Sequence, residues 1–294
     1  MSAEAPRYEG LGRPIRGPSA LAGDWRRFWH LVYNIARSEF KMKFYGSALG
    51  YVWQVVQPLL LFGVLYTFFV VIGKVGAGGK PGEAHYGVQL LSSIVLFGFF
   101  GEATAGAVRS VVARENFVRK IQFPRLAIPL SVVLLSFFNF LLNFTVVLIF
   151  VLVEGIHPSW SWLEIFPIVA LLGIFAAGIA MLLSALFVKF RDVEPIWTVF
   201  SQMLFYGSPV IIPIATVREK LTPHPPLLHI YMLNPLAVLL QQVRHAMINP
   251  QTMSAAGVSG GWLQLLEPLA IVLVVFALGF YVFNRSAPFV AENL

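Results

Sequence analysis

The sequence contains no cysteine. That excludes disulfides, thiol catalysis, iron–sulfur clusters and Cys-based zinc sites, and it leaves the redox compartment open. Aspartate is almost missing too, with Asp24 and Asp192 alone in 294 residues. A metal-dependent glycosyltransferase wants clustered carboxylates, and none cluster here. Charged residues make up only 12% of the chain, against about 25% in a soluble domain. Half the usual charge cannot cover a water-exposed globule of this size, which excludes an ordinary cytosolic enzyme. A disordered chain is excluded as well, since it needs low hydrophobicity and high charge.

The remaining chemistry is thin. The six histidines (His30, His85, His157, His224, His229 and His245) show no HExxH spacing, so no metal site is expected. The only phosphate-loop lookalike is Gly78-Gly79-Lys80-Pro81. It has Lys74 where the motif needs its first glycine and Pro81 where it needs Ser or Thr. No phosphate-loop ATP site is therefore expected in this chain.

What is abundant is apolar sequence: 57% of residues are hydrophobic and 14% aromatic. A bilayer-crossing helix needs about 20 apolar residues. Six stretches qualify, at about 48–72, 86–108, 126–153, 164–188, 195–215 and 262–284. A further uncharged gap, residues 221–243, carries Pro223, Pro225, Pro226 and Pro235 and is not counted, because prolines remove donors and kink helices. Six spans put both termini on one side. Sixteen of the 21 basic residues fall on that side and five on the other, which places both termini in the cytoplasm. The polar, Pro/Gly-rich residues 1–23 have no apolar h-region and read as a mobile cytoplasmic tail.

Residues 24–45 form an amphipathic helix. At 100° per residue, Trp25, Phe28, Trp29, Val32, Ala36 and Phe40 share one arc, and Arg26, Arg27, His30, Asn34, Arg37, Ser38 and Lys41 fill the other. Asp24 is a reasonable N-cap; Glu39, inside the apolar arc, spoils the pattern. Such a helix lies in the interface with its cations toward anionic headgroups. It is either a plain membrane anchor or, in addition, a dock for a cytoplasmic partner. The loop ARENFVRKIQFPRL at 113–126 mixes basic and apolar residues. Phe117 and Ile121, four apart, can share one helix face. The loop either only obeys the positive-inside rule or also forms a docking surface.

Within the spans, Glu102 is the one ionisable residue well inside, and Arg109, seven residues on, shares its helix face as a possible partner. Tyr51, Trp53 and Tyr66 lie in span one; Trp197, Phe205 and Tyr206 lie in span five. Rings with polar atoms want partners and suit the lining of a substrate channel, though aromatic belts at the interfaces account for the same placement. Gly207-Ser208-Pro209 should break span five and widen a cavity. Asn234 is an N-cap candidate, with Pro235 at the favoured first helical position. Leu236, Leu239, Leu240, Val243 and Met247 then form an apolar stripe.

Several segments, in order, resemble one family. The run ARSEFKMKFYGSALGYVWQVVQPLLLFGVLYTFFV (36–70) resembles the start of the permease subunits of bacterial ABC polysaccharide exporters, which serve O-antigen, capsule, teichoic acid and galactan. ENFVRKIQFPRLAIPLS (115–131) looks like their coupling loop. Phe190-Arg191-Asp192, Gly207-Ser208-Pro209-Val210, Asn234-Pro235-Leu236 and Arg244 resemble the rest of the pattern. The resemblance implies an all-α membrane protein of the bacterial inner or plasma membrane with six transmembrane helices, an interface helix and re-entrant outer gate helices between spans five and six (216–261). It implies a homodimer working with two ATP-binding cassette subunits that hold ATP and Mg, a lipid-linked polysaccharide substrate, and no nucleic acid. By that resemblance the ATPase-coupling residues are Arg114, Glu115, Asn116, Phe117, Val118, Arg119 and Lys120, within a coupling loop at 113–125. Trp25, Phe28, Trp29, Arg37 and Lys41 belong to the interface helix, and Ser208, Pro209, Asn234, Pro235 and Arg244 to the outer gate. The rival readings are a drug or antibiotic efflux permease of the same superfamily and a polytopic membrane enzyme of envelope synthesis.

Overall fold

The structure is a computed structural model and describes residues 25–46, 50–73, 84–114 and 124–286. Among those residues the regular elements are all helices, with no strand. Helix α1 (Trp25–Phe44) is followed by α2 (Gly50–Tyr66), which runs on into a π turn (Thr67–Ile72). Then come α3 (Tyr86–Val108), a single turn α4 (Ser110–Ala113), α5 (Ala127–Val153) and α6 (Ile165–Lys189). Helix α7 (Val193–Gly207) precedes four short helices: α8 (Ile214–Leu221), α9 (Pro225–Met232), α10 (Pro235–Val243) and α11 (Ala255–Ser259). The last is α12 (Leu266–Ser286).

Five helical stretches are long and apolar enough to cross a membrane: Gly50–Ile72, Tyr86–Val108, Ala127–Val153, Trp160–Lys189 and Leu263–Ser286. The span expected at 195–215 is not a sixth helix of that kind. α7 stops at Gly207 after 15 residues, about 22 Å at 1.5 Å per residue, short of the roughly 30 Å hydrocarbon core. The expected cause holds: Ser208 leaves helical geometry with φ −103° and ψ 159°, and residues 208–213 run irregularly into α8.

Helix α3 is the hub, buried along most of its length among α2, α5, α6 and α7. Small residues let its neighbours come close. A Cβ on Gly106 would sit 3.0 Å from Val132, and one on Gly87 would sit 2.9 Å from the Tyr66 ring. Without hydrophobic drive between helices in lipid, such close packing supplies much of the attraction. The tightest crossing joins α6 and α12, where Gly178 and Gly279 meet backbone to backbone. A Cβ on Gly279 would fall 2.1 Å from the Gly178 carbonyl oxygen. By contrast α2 buries none of its residues, and α7 buries only Trp197.

α1 packs against the start of α5. Phe28 and Val32, four apart on the expected arc, are buried with Leu126, Ala127 and Ile128 at the start of α5, and Ala36, four further on, is buried too. Tyr33 and Phe40 meet Phe138 edge-on at 6.2 and 5.8 Å. Trp25 and Trp29 stay exposed, as do Arg37 and Lys41. Glu39, the flaw in the arc, bonds the Arg114 guanidinium, so the misplaced carboxylate is a tie between α1 and the end of α4. Asp24 and the tail lie outside the described residues.

Candidate functional site

A cleft of about 650 Å³ opens between α2, α3, α5 and α7. Gln54, Gln57 and Pro58 of α2 form one wall. Gly98, Gly101 and Glu102 of α3 form the floor, and Phe205 of α7 and Asn143 of α5 complete the lining. Pro58 has no N–H to give the Gln54 carbonyl, so this turn of α2 is a natural bend. Gly98 leaves open space: a Cβ there would meet nothing within 4 Å. Lys43, from the end of α1, reaches the cleft and bonds both Gln54 Oε1 (3.0 Å) and Glu102 Oε1 (2.9 Å). Asn139 Nδ2 donates to the same Glu102 oxygen at 2.6 Å. The Glu102–Arg109 pairing is therefore wrong. Helix α1 brings a closer cation to Glu102, while Arg109 Nε turns to Glu194 at the start of α7, 2.6 Å away.

The aromatic candidates divide. Tyr206 is 74% exposed, its ring edge-on to Phe205 at 5.2 Å. Phe205 in turn meets Phe97 at 5.1 Å. Tyr51 and Trp53 are exposed, and Tyr51 also packs on Phe40 of α1 at 5.7 Å. Tyr66 leans on Gly87 and on Phe62, 5.4 Å away. Trp197 does not fit the expected path. It is 7% exposed and packs against Phe100 and Phe200 at 6.3 and 5.7 Å, so its ring belongs to the core.

The outer-gate candidates come together as one network. Asn234 caps α10 by accepting from the Leu236 N–H at 3.0 Å, and its Nδ2 donates to Ser208 Oγ at 2.8 Å. Pro235 takes the first helical position, and Leu236, Leu239, Leu240, Val243 and Met247 are all buried. Arg244 is 1% exposed. Its Nη2 donates to Ser93 Oγ (2.9 Å) and to the Val210 carbonyl (3.0 Å), beside Pro209. Tyr86 donates to the next carbonyl, Ile211. The irregular stretch after α7 is thus stitched to α3 and to both ends of α10. Burial pushes the Arg244 guanidinium down to about 10, with Tyr86 and Tyr231 favouring its charged form; burial likewise pushes the Tyr231 phenol up.

Of the coupling candidates, Arg114 is described and desolvation lowers its pKa. Glu115, Asn116, Phe117, Val118, Arg119 and Lys120 lie outside the described residues, as does Gly78. The amides Gln54, Gln57, Asn139 and Asn143 escaped the sequence reading, which weighed charges and rings. Their signal was present: neutral polar side chains three or four apart inside apolar spans.

Apolar helices of membrane-crossing length around an amide-lined cleft define the class, a polytopic membrane permease. The chain belongs to the ABC-2 type transporter family, which matches residues 30–248. It is similar to an O-antigen export system permease protein RfbA of Klebsiella pneumoniae, 28% identical over 90% of this chain and 95% of the relative. A second protein of that name and organism is 29% identical over 74% and 80%. One from Myxococcus xanthus is 27% identical over 65% and 71%.

Proposed function

We propose that this chain is the permease subunit of an ATP-driven exporter that carries lipid-linked polysaccharide outward across the bacterial inner or plasma membrane. The observation that carries the reading is the amide-lined cleft on a face that the described residues leave uncovered. Gln54, Gln57 and Asn143 offer donors and acceptors to hydroxyls, and Phe97 and Phe205 offer apolar surface to sugar C–H faces. Lipid would leave those amides unmet. The bare faces of α2 and α7 support closure by a second copy, which would make two facing clefts into one path. An efflux permease for apolar drugs has no comparable use for the amides.

In this reading six spans form when α7 and residues 208–213 cross together, with both termini cytoplasmic. The segment 216–261 then serves as a re-entrant outer gate, whose non-helical backbone is covered by protein as membrane depth demands. Two separate ATP-binding cassette subunits, holding ATP and Mg, dock at the loop around Phe117 and against α1. The ties Glu39–Arg114 and Lys43–Glu102 then pass their movement to the cleft. Tyr206 and Tyr51 line the path.

The test is the double variant Gln54→Leu/Gln57→Leu, measured as glycan exported per folded complex in cells carrying the cognate ATPase. Export should fall at least tenfold with the complex intact. Unchanged export would remove the cleft from the path.

A further inference from the structure

A second cavity, of about 390 Å³, lies on the far side of α3, toward its Tyr86 end. Its floor is set by Gln89, Gln241 and Thr252. Arg218, Glu219 and Thr222 of α8 stand along one wall, and Ile214, Met253 and Val258 give apolar surface. Its size falls within the usual range for small-ligand pockets, and it shares no residue with the cleft.

Two features mark it as a built site. Gln241 is 1% exposed; its Nε2 donates to the Met253 carbonyl at 2.6 Å, while its Oε1 has no hydrogen-bond partner among the described residues. A buried acceptor left empty is costly, and a donor brought by a ligand would relieve it. The loop beneath is also fixed in advance. The Gln251 N–H donates to Asn249 Oδ1 at 3.0 Å, Thr252 Oγ1 donates to the Asn249 carbonyl at 2.7 Å, and the Thr252 carbonyl meets His245 Nδ1 at 2.8 Å.

The chemistry selects the ligand. An anion would be drawn to Arg218 but repelled by Glu219, and an apolar molecule would leave the Gln241 oxygen unmet. A neutral polyol with one apolar face satisfies both kinds of surface: vicinal hydroxyls for Gln241, Thr222 and the Arg218–Glu219 edge, C–H groups for Ile214 and Val258. We propose that this cavity is a sugar-binding subsite that holds one or two pyranose units of the glycan after it has left the path. The identity of the sugar rests on the export reading; the site itself does not.

The experiment uses the permease with its ATPase in nanodiscs of phosphatidylethanolamine and phosphatidylglycerol. Methyl pyranosides of glucose, galactose, mannose and rhamnose, and the delipidated glycan of the source cells, are screened by saturation-transfer NMR. At least one pyranoside should receive transfer and be displaced by the glycan. Ala215→Phe fills the cavity from its half-buried wall without deleting a hydrogen bond, and should weaken binding at least tenfold. Gln241→Leu should weaken it about fivefold or more, and both losses should persist in the Gln54→Leu/Gln57→Leu background, where the cleft's own amides are removed. No transfer to wild type from any of these sugars, meaning a cavity filled by solvent alone, would overturn the proposal. So would transfer that survives Ala215→Phe in the Gln54→Leu/Gln57→Leu background. Normal export by the Gln54/Gln57 variant beside sugar binding lost in Ala215→Phe would defeat the cleft reading and leave this one standing.

Discussion

The Gly178–Gly279 crossing lets one methyl group test how α12 is held. In Gly279→Ala the new Cβ would lie 2.1 Å from the Gly178 oxygen and 2.9 Å from its carbon. Ordinary contact begins near 3.4 Å, so the helices must part by about 1.3 Å. The obstacle is backbone, which cannot swing aside as a side chain would. Two effects then compete. Alanine favours the helix over glycine by up to about 1 kcal/mol, whereas overpacking a tight contact costs about 1–3 kcal/mol and occasionally more. With backbone on both sides the cost sits at the upper end, leaving a net loss of about 2 kcal/mol and a fall in melting temperature of about 4–8 °C. The assay is thermal unfolding of the purified complex in nanodiscs. Gly173→Ala is the internal control: its Cβ meets nothing within 4 Å, so its stability should stay within about 0.5 kcal/mol of wild type or rise. A Gly279→Ala protein as stable as wild type, or a Gly173→Ala protein equally damaged, would refute the close-packing argument.

The ion pair in the cleft separates charge from hydrogen bonding. Glu102→Gln keeps an acceptor for Asn139 and gives up a half-exposed pair, so unfolding should shift by under about 1 kcal/mol. Glu102→Leu leaves the buried Asn139 amide unmet and should cost about 1–3 kcal/mol in the same melt. Tyr206, largely exposed, should lose export as Ala and less as Phe, with stability moving by under about 0.5 kcal/mol; a lowered melting point with unchanged export per folded complex would return it to packing. Phe117→Asp should dissociate the ATPase or uncouple hydrolysis from export, and co-purification of the intact complex with full export would contradict that.

Periodic signals survived from sequence to structure because they depend only on neighbours along the chain. The arc of Phe28, Val32 and Ala36, the Asn234-Pro235 start of α10 and the end of α7 at Gly207 are such signals. What depended on partners from elsewhere did not survive. Glu102 was matched to Arg109 by helix spacing, but α1 folds back and brings Lys43 closer. Trp197 was placed with Tyr206 because both lie in one apolar stretch. Nine positions apart, about 180° round the helix at 100° per residue, they face opposite ways, one to Phe100 and one outward. Glu39 looked like an error of amphipathicity because its partner, Arg114, is 75 positions away. The cavity beside Gln241 draws on four separate segments of the chain, which no single window of sequence contains.

The Arg244 network has a consequence for how the stretch after α7 responds to salt and acid. Exposed ion pairs weaken as salt rises and screens them, and paired carboxylates let go in acid. Arg244 relies on neither. Its named hydrogen-bond partners are a serine hydroxyl and a backbone carbonyl, which carry no charge to screen and no proton to gain. The guanidinium itself, lowered only to about 10, is protonated in folded and unfolded chains alike at any pH well below that, so its contribution to stability does not change with acidity there. The hold of Arg244 on the stretch after α7 should therefore be the same in dilute and saline medium and in acid.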